Sequence, residues 1–295
     1  MTWALWLGSS LIALVVASIS LSALGERRWR RQATTLRTCL DGGPDAAAMP
    51  TRYDARESDG LPAPVRRYFR SVLEDGQPVI AAVTVDMAGT FNMSPTGEQW
   101  KRFTSRQRVV TRRPGFVWDA NIALAPGVSA RVVDSYIAGK GLLRATLQGL
   151  FTMAEQTGDD IDRSEFMRWC AEMPWYPTAL LPSQGVRWEA VDDHSANATM
   201  ADGPLGLTLL FRFDDAGLLI SFRAEARGGI VGGTIVMAPW EGRWSDYRMC
   251  DGIRVPFTGE VAWMRPEGRR PYFIGTVTSL AFEFSPRLSA TDHPP

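Results

Sequence analysis

Histidine is scarce in this sequence. Two are present, His194 and His293. That number argues against histidine-ligated metals and against histidine-based acid–base catalysis. Cysteine is nearly as sparse. Cys39, Cys170 and Cys250 stand far apart with no C-x-x-C spacing, so neither a zinc site nor a thioredoxin-type motif is present. Charge of one sign is also missing: Lys+Arg and Asp+Glu both total 32. Without a basic excess there is nothing to release counterions from a phosphate backbone, and nucleic acid is not an expected partner. The sequence contains no G-x-S-x-G, no H-E-x-x-H and no P-loop. Gly139-Lys140-Gly141 begins like a dinucleotide fingerprint, but Arg144 stands where its third glycine should be; a turn is the better reading. No fixed-period repeat occurs. The expectation is a non-enzymatic chain with no metal and no cofactor.

Aromatic residues are plentiful, with 11 Trp and 13 Phe. Side chains of that size fill cores, and they also line apolar ligand cavities. At the N-terminus, Trp3 to Leu24 carries no charge. At a rise of about 1.5 Å per residue it is long enough to cross a hydrocarbon layer of about 30 Å. No Lys or Arg precedes it, and Ser20-Leu21-Ser22 is a mediocre cleavage site, so an uncleaved single-pass anchor is favoured over a signal peptide. Arg27, Arg28, Arg30 and Arg31 follow. By the positive-inside rule they place the body of the chain on the cytoplasmic side of a cell (inner) membrane.

The expected organisation is an anchor with its basic flank over 1–31, a linker over 32–60, a globular domain over 61–286 and a disordered tail over 287–295. Gly42-Gly43-Pro44, Pro50 and Asp59-Gly60 break regular patterning in the linker. Val65, Tyr68, Phe69 and Val72 recur at helical spacing behind Pro62 and Pro64, which predicts an amphipathic helix over 62–73. Strands are expected over 79–91, 100–111, 116–124 and 128–138. A second helix over 160–173 opens with Asp159, Asp160 and Asp162, which suit a positive helix N-terminus. Its Phe166, Trp169, Cys170 and Met173 fall on one face; Glu165, Arg168 and Glu172 fall on another. Residues 175–182 are too proline-broken for regular structure. Hairpins follow, with Asp214-Asp215-Ala216-Gly217, Asp251-Gly252 and Pro266-Glu267-Gly268 as turns. On the last strand Ile274, Leu280, Phe282 and Phe284 are expected to share one face. About ten or eleven antiparallel strands imply a mainly β, α+β fold: a curved sheet or half-barrel whose concave face is covered by the two helices.

Several motifs carry a resemblance. Leu61-Pro62-x-Pro64-Val65-Arg66-Arg67-Tyr68, Pro114-Gly115-Phe116-x-Trp118, Asp134-Ser135-Tyr136, Trp175-Tyr176-Pro177-x-x-Leu180-Leu181-Pro182 and Pro239-Trp240 resemble an uncharacterised bacterial domain-of-unknown-function family over roughly 61–284. That family brings no activity or catalytic residue with it. The closing layout, Tyr247, Asp251-Gly252-Ile253-Arg254-Val255-Pro256, Trp263 and Tyr272, resembles lipoprotein carriers of the LolA and LolB type. Those carriers are half-barrels with an apolar cavity, so the resemblance implies lipid handling and an exported body, against the charge rule.

The candidate ligand-binding residues are Trp118, Tyr136, Trp169, Trp175, Tyr176, Trp240 and Trp263, with Trp244 as a further wall. The expected function is a membrane-anchored protein that binds a lipid or other apolar ligand. Two alternatives are a membrane-tethered interaction module, acting through the 62–73 helix or the 175–182 segment, and a carboxylate-dependent hydrolase using Asp134, Glu165 or Glu172. The sequence names no protein partner.

Overall fold

The computed structural model of the chain describes residues 2–43, 49–94, 97–231 and 234–285, without side chains at most positions up to 18 and around 230–235. Thirteen strands among the described residues form one antiparallel sheet. In chain order they are β1 (Ile80–Asn92), β2 (Trp100–Val110), β3 (Gly115–Ala125), β4 (Val128–Ile137), β5 (Lys140–Leu147), β6 (Phe151–Gln156), β7 (Arg187–Asp192), β8 (Ser195–Asp202), β9 (Leu205–Phe213), β10 (Leu219–Val231), β11 (Thr234–Cys250), β12 (Ile253–Arg265) and β13 (Gly268–Phe284). Two meanders, β1 to β6 and β7 to β13, are joined where β1 pairs with β13. The sheet edges are therefore β6 and β7.

The strands beyond the expected ten or eleven come mostly from these edges. β6 and β7 are largely exposed on both faces, so they have no apolar alternation to read. β8 turns only Ala196, Ala198 and Met200 toward the core, a weak signal from small side chains. The Asp251-Gly252 hairpin forms as expected, with φ of 49° and 79°, the doubly positive turn that matches strand twist. One face assignment is corrected. A register shift in the β1–β13 ladder pairs Asp86 with Ser279 but Met87 with Val277. The bulge at Thr278 puts Val277 and Gly275 on the inner face with Leu280 and Phe282, and turns Ile274 to the other side.

Two helices cover the inner face. In α2 (Ala63–Val72), Val65, Tyr68, Phe69 and Val72 are buried. The connection from β6 to β7 runs from one edge of the sheet to the other. It consists of α3 (Asp159–Ala171) and three short 3-10 turns over 173–175, 177–180 and 182–184. Asp162 fixes the start of α3 by accepting from the Gly141 amide and from Lys140, both at 2.7 Å. Trp175, Tyr176, Leu180 and Leu181 are buried, so the 175–182 segment lies in the interior of the fold.

The outer face carries α1 (Thr2–Asp41), and here the expected linker is overturned. Helix continues through residues 32–41 because Trp29, Ala33 and Leu40 form a buried stripe. Leu40 and Leu36 pack against Ala82, Val110 and Val117. Arg37 pairs with Asp119 and Arg131 with Glu26. Residues 51–58 also belong to the folded body: Tyr53 joins the main core, and Asp54 caps a 3-10 turn over Ala55–Ser58. Among the described residues no helix is long and apolar enough to cross a membrane. The expected span over 3–24 falls mainly on positions whose side chains lie outside the described residues, as does the tail over 287–295.

Candidate functional site

A row of glycines crosses the inner face. Gly89 stands opposite Gly275, and Gly275 opposite Gly259, on three adjacent strands. Flanked by Phe103 and Trp244, the row lets aromatic rings close down on the backbone. A Cβ at Gly259 would lie 2.7 Å from the Trp244 ring. Between the sheet and α3 lies a cavity of about 540 Å³, well within the size range of small-molecule sites. Trp118, Trp175, Trp240, Trp244, Trp263, Phe222, Tyr272 and Phe273 form much of its wall. Exposed Met93, Glu98 and Arg270 border it on the solvent side.

The wall is preorganised by its own contacts. Trp175 meets Trp244 edge-on at 4.7 Å between ring centroids, and its indole N–H donates to the Pro256 carbonyl at 3.0 Å. The Trp240 N–H donates to the Tyr272 hydroxyl at 3.0 Å, and Tyr272 stacks on Trp263.

Under this wall lies a charged floor. Arg168 of α3 donates from Nη1 to Asp134 at 2.6 Å and from Nε to Glu172 at 2.8 Å. Its Nη2 reaches Gln107 at 3.3 Å, and Gln107 in turn donates to Glu172. The guanidinium lies over the rings of Phe116 and Trp118. Burial opposes its charge, yet Glu172, Asp134 and Glu165 hold it above its ordinary pKa. Glu165 is only 2 % exposed, and Arg227 of β10 approaches it no closer than 3.8 Å. Burial first, then the neighbouring Asp134 charge, push Glu165 up to about 8. Burial likewise raises Asp134, against the pull of Arg168. Asp134 Oδ1, Glu165 Oε2, Arg227 Nε, Trp118 Nε1 and Trp244 Nε1 are all buried without a hydrogen-bond partner. All five belong to residues lining this one cavity.

The structure brings Trp118, Trp175, Trp240 and Trp263 together on the cavity wall. Tyr136, Trp169 and Tyr176 lie elsewhere, in the main core, with their polar tips engaged inside it. The Tyr136 hydroxyl donates to Asp202, the Trp169 N–H to the Val110 carbonyl, and the Tyr176 hydroxyl to the Trp169 carbonyl. Cys170 is fully buried in the main core. Asp134, Glu165 and Glu172 converge on the floor. Sequence reasoning missed Arg227, Phe222, Tyr272 and Phe273. Their strands are distant in the chain from α3, and only sheet order places them together.

No curated protein matches the sequence. The solved structures similar to this chain include two at 9% identity. One is a LolA superfamily protein from Nitrosomonas europaea, with a TM-score of 0.40, covering 77% of this chain and 96% of that one. The other is a β-barrel-like DUF1849 protein from Brucella abortus, with a TM-score of 0.22, covering 70% of this chain and 99% of that one. A family model, described as a family of unknown function (DUF6920), matches residues 59–282. Since that match spans most of the sequence and nearly all of the sheet, the chain belongs to the DUF6920 family.

Proposed function

We propose that this protein is a binding protein that holds a small apolar or amphipathic molecule, of the class of a lipid acyl chain, between α3 and the inner face of the sheet. The observation that carries the reading is the 540 Å³ cavity with its tryptophan wall. Apolar surface removed from water there contributes about 25 cal/mol per Å². A wall already fixed by its own hydrogen bonds adds little ordering cost on binding. Binding is favoured over hydrolysis because the wall is largely aromatic and both Asp134 and Glu172 are held by Arg168.

We also propose attachment to the cell membrane through residues 3–24, with the body on the cytoplasmic side. The exposed Arg27, Arg28, Arg30 and Arg31 suit the headgroup region on that side. Release of the full chain from membranes by alkaline carbonate would refute the attachment.

The cavity reading is tested with the neutral probe N-phenyl-1-naphthylamine. Its fluorescence should rise on binding to the full chain and stay low with Val261→Trp, which enlarges a half-buried wall residue of the cavity. Equal fluorescence with both proteins would place the probe elsewhere and refute the reading.

A further inference from the structure

One end of the sheet carries the β1–β2, β3–β4, β5–β6, β10–β11 and β12–β13 turns, and three features meet there. The first is the exit of α1. Leu40 lies over Gly115 near the opposite end, whereas Gly25 lies against Gln148 and Gly149 of the β5–β6 turn. Because α1 is continuous from Thr2 to Asp41, Leu24 and the uncharged run before it leave the body at this end. The second is the opening of the cavity. Its exposed border, Met93, Gly97, Glu98 and Arg270, comes from the β1–β2 turn and the start of β13, with Asp160 of α3 added. The third is the β10–β11 hairpin. Gly228–Val231 pairs with Thr234–Met237. The ladder to β9 ends at Arg223 and the ladder to β12 begins only at Trp240, so this part is a two-stranded ribbon without a strand on either side. No charged residue stands between Arg227 and Glu241. At its base, Gly228 and Gly229 line the cavity.

We infer that this end of the sheet sits in the surface of a lipid bilayer, with the β10–β11 ribbon and Phe151 among the headgroups, so that the cavity opens onto lipid. The inference rests on the attachment through residues 3–24 proposed above and names the partner of the cavity mouth. Met93, Val128, Phe151, Val236 and Met237 are exposed on or beside these turns. Val191, Ile220 and Met249 are exposed at the opposite end, which has neither the exit of α1 nor the border of the cavity. A two-stranded ribbon is marginal in water, and an exposed apolar edge without charge invites pairing with other chains. A bilayer surface removes both liabilities. Insertion stays shallow, about 5–10 Å, the depth of interfacial elements, because unpaired strand edges cannot enter hydrocarbon. Around the mouth Lys101, Arg102, Arg265 and Arg270 outnumber Glu98 and Glu267, which suits anionic headgroups. A ligand of the acyl-chain class then passes from leaflet to cavity without crossing water.

The test places the full chain in vesicles of phosphatidylethanolamine and phosphatidylglycerol in which some lipids carry a nitroxide near the headgroup. Cys39→Ser and Cys250→Ser remove the thiols that are not buried. A fluorescent label is then attached through Phe151→Cys or Met237→Cys at the mouth end, and through Val191→Cys or Met249→Cys at the opposite end. Two positions at each end keep the comparison readable if one substitution unfolds the chain. The nitroxide should remove most of the emission from positions 151 and 237 and little from positions 191 and 249. Equal quenching at the two ends, or stronger quenching at 191 and 249, would overturn the inference. Absence of quenching at every position in a chain that floats with the vesicles would also overturn it and leave the attachment standing. A chain that fails to float would overturn the attachment and this inference with it.

Discussion

The two faces of the sheet use the same chemical vocabulary for different ends. On the outer face, arginine–carboxylate pairs knit α1 to the strands and run along the sheet surface. Arg37 and Asp119 retain 26% and 21% side-chain exposure, and Arg106 and Asp86 retain 58% and 27%. On the inner face, Arg168, Asp134 and Glu172 retain only 12% to 13%. Water screens the first set and barely reaches the second. A buried ion pair repays its desolvation poorly, so stability alone does not account for a charged floor beneath an aromatic wall. The outer pairs fix a helix in place; the inner ones prepare a polar end for a cavity.

Deleting charge on each face sharpens this contrast. Arg168→Met should produce the largest loss, about 3–5 kcal/mol in denaturant unfolding, because it strands Asp134 and Glu172 in the interior. A smaller effect is expected where α1 touches the β5–β6 turn. A Cβ at Gly25 would fall 1.9 Å from the Gln148 carbonyl oxygen. Gly25→Val should therefore cost about 1–3 kcal/mol by overpacking and expose residues 26–41 to limited proteolysis, with the cavity probe still bound.

The floor also responds to pH. Glu165 has a raised folded-state pKa, so the folded chain holds its proton over the range from about 4.5 to about 8 in which the unfolded chain loses it. The stabilisation is fully present below that window and is lost as pH rises through it. Chemical denaturation across the window should show the fall, and Glu165→Gln should flatten it. The smallest change belongs to Arg106→Met on the outer face, about 0–1 kcal/mol, as for exposed pairs generally. A loss there matching that of Arg168→Met would erase the distinction between the faces.

Legibility in the sequence followed the strength of local patterning. Leu205–Phe213 alternates cleanly and is a strand with those bounds, while the edge strands β6 and β7 lack a buried face and gave no signal. The docked end of α1 was hidden by the glycines and prolines after it, although Trp29, Ala33 and Leu40 mark its stripe. In the site, large aromatics were visible as a class, but their division between wall and core was not. Trp240 and Trp169 look alike in sequence; one donates its N–H to a wall residue and the other to a core carbonyl. The row of Gly89, Gly275 and Gly259 is a property of register across three strands, and no local pattern encodes it. Glu165, Arg168 and Glu172 read as a ladder along one face of a helix. In the fold that ladder faces inward, because α3 crosses the sheet with both faces covered.

The most direct test of the central claim, an inner-face cavity that holds a small molecule, is native mass spectrometry of the full chain with organic extraction of the same sample. One apolar or amphipathic molecule per chain is expected, absent from Val261→Trp. A clean unliganded mass that stays unliganded after exposure to a total lipid extract would contradict it.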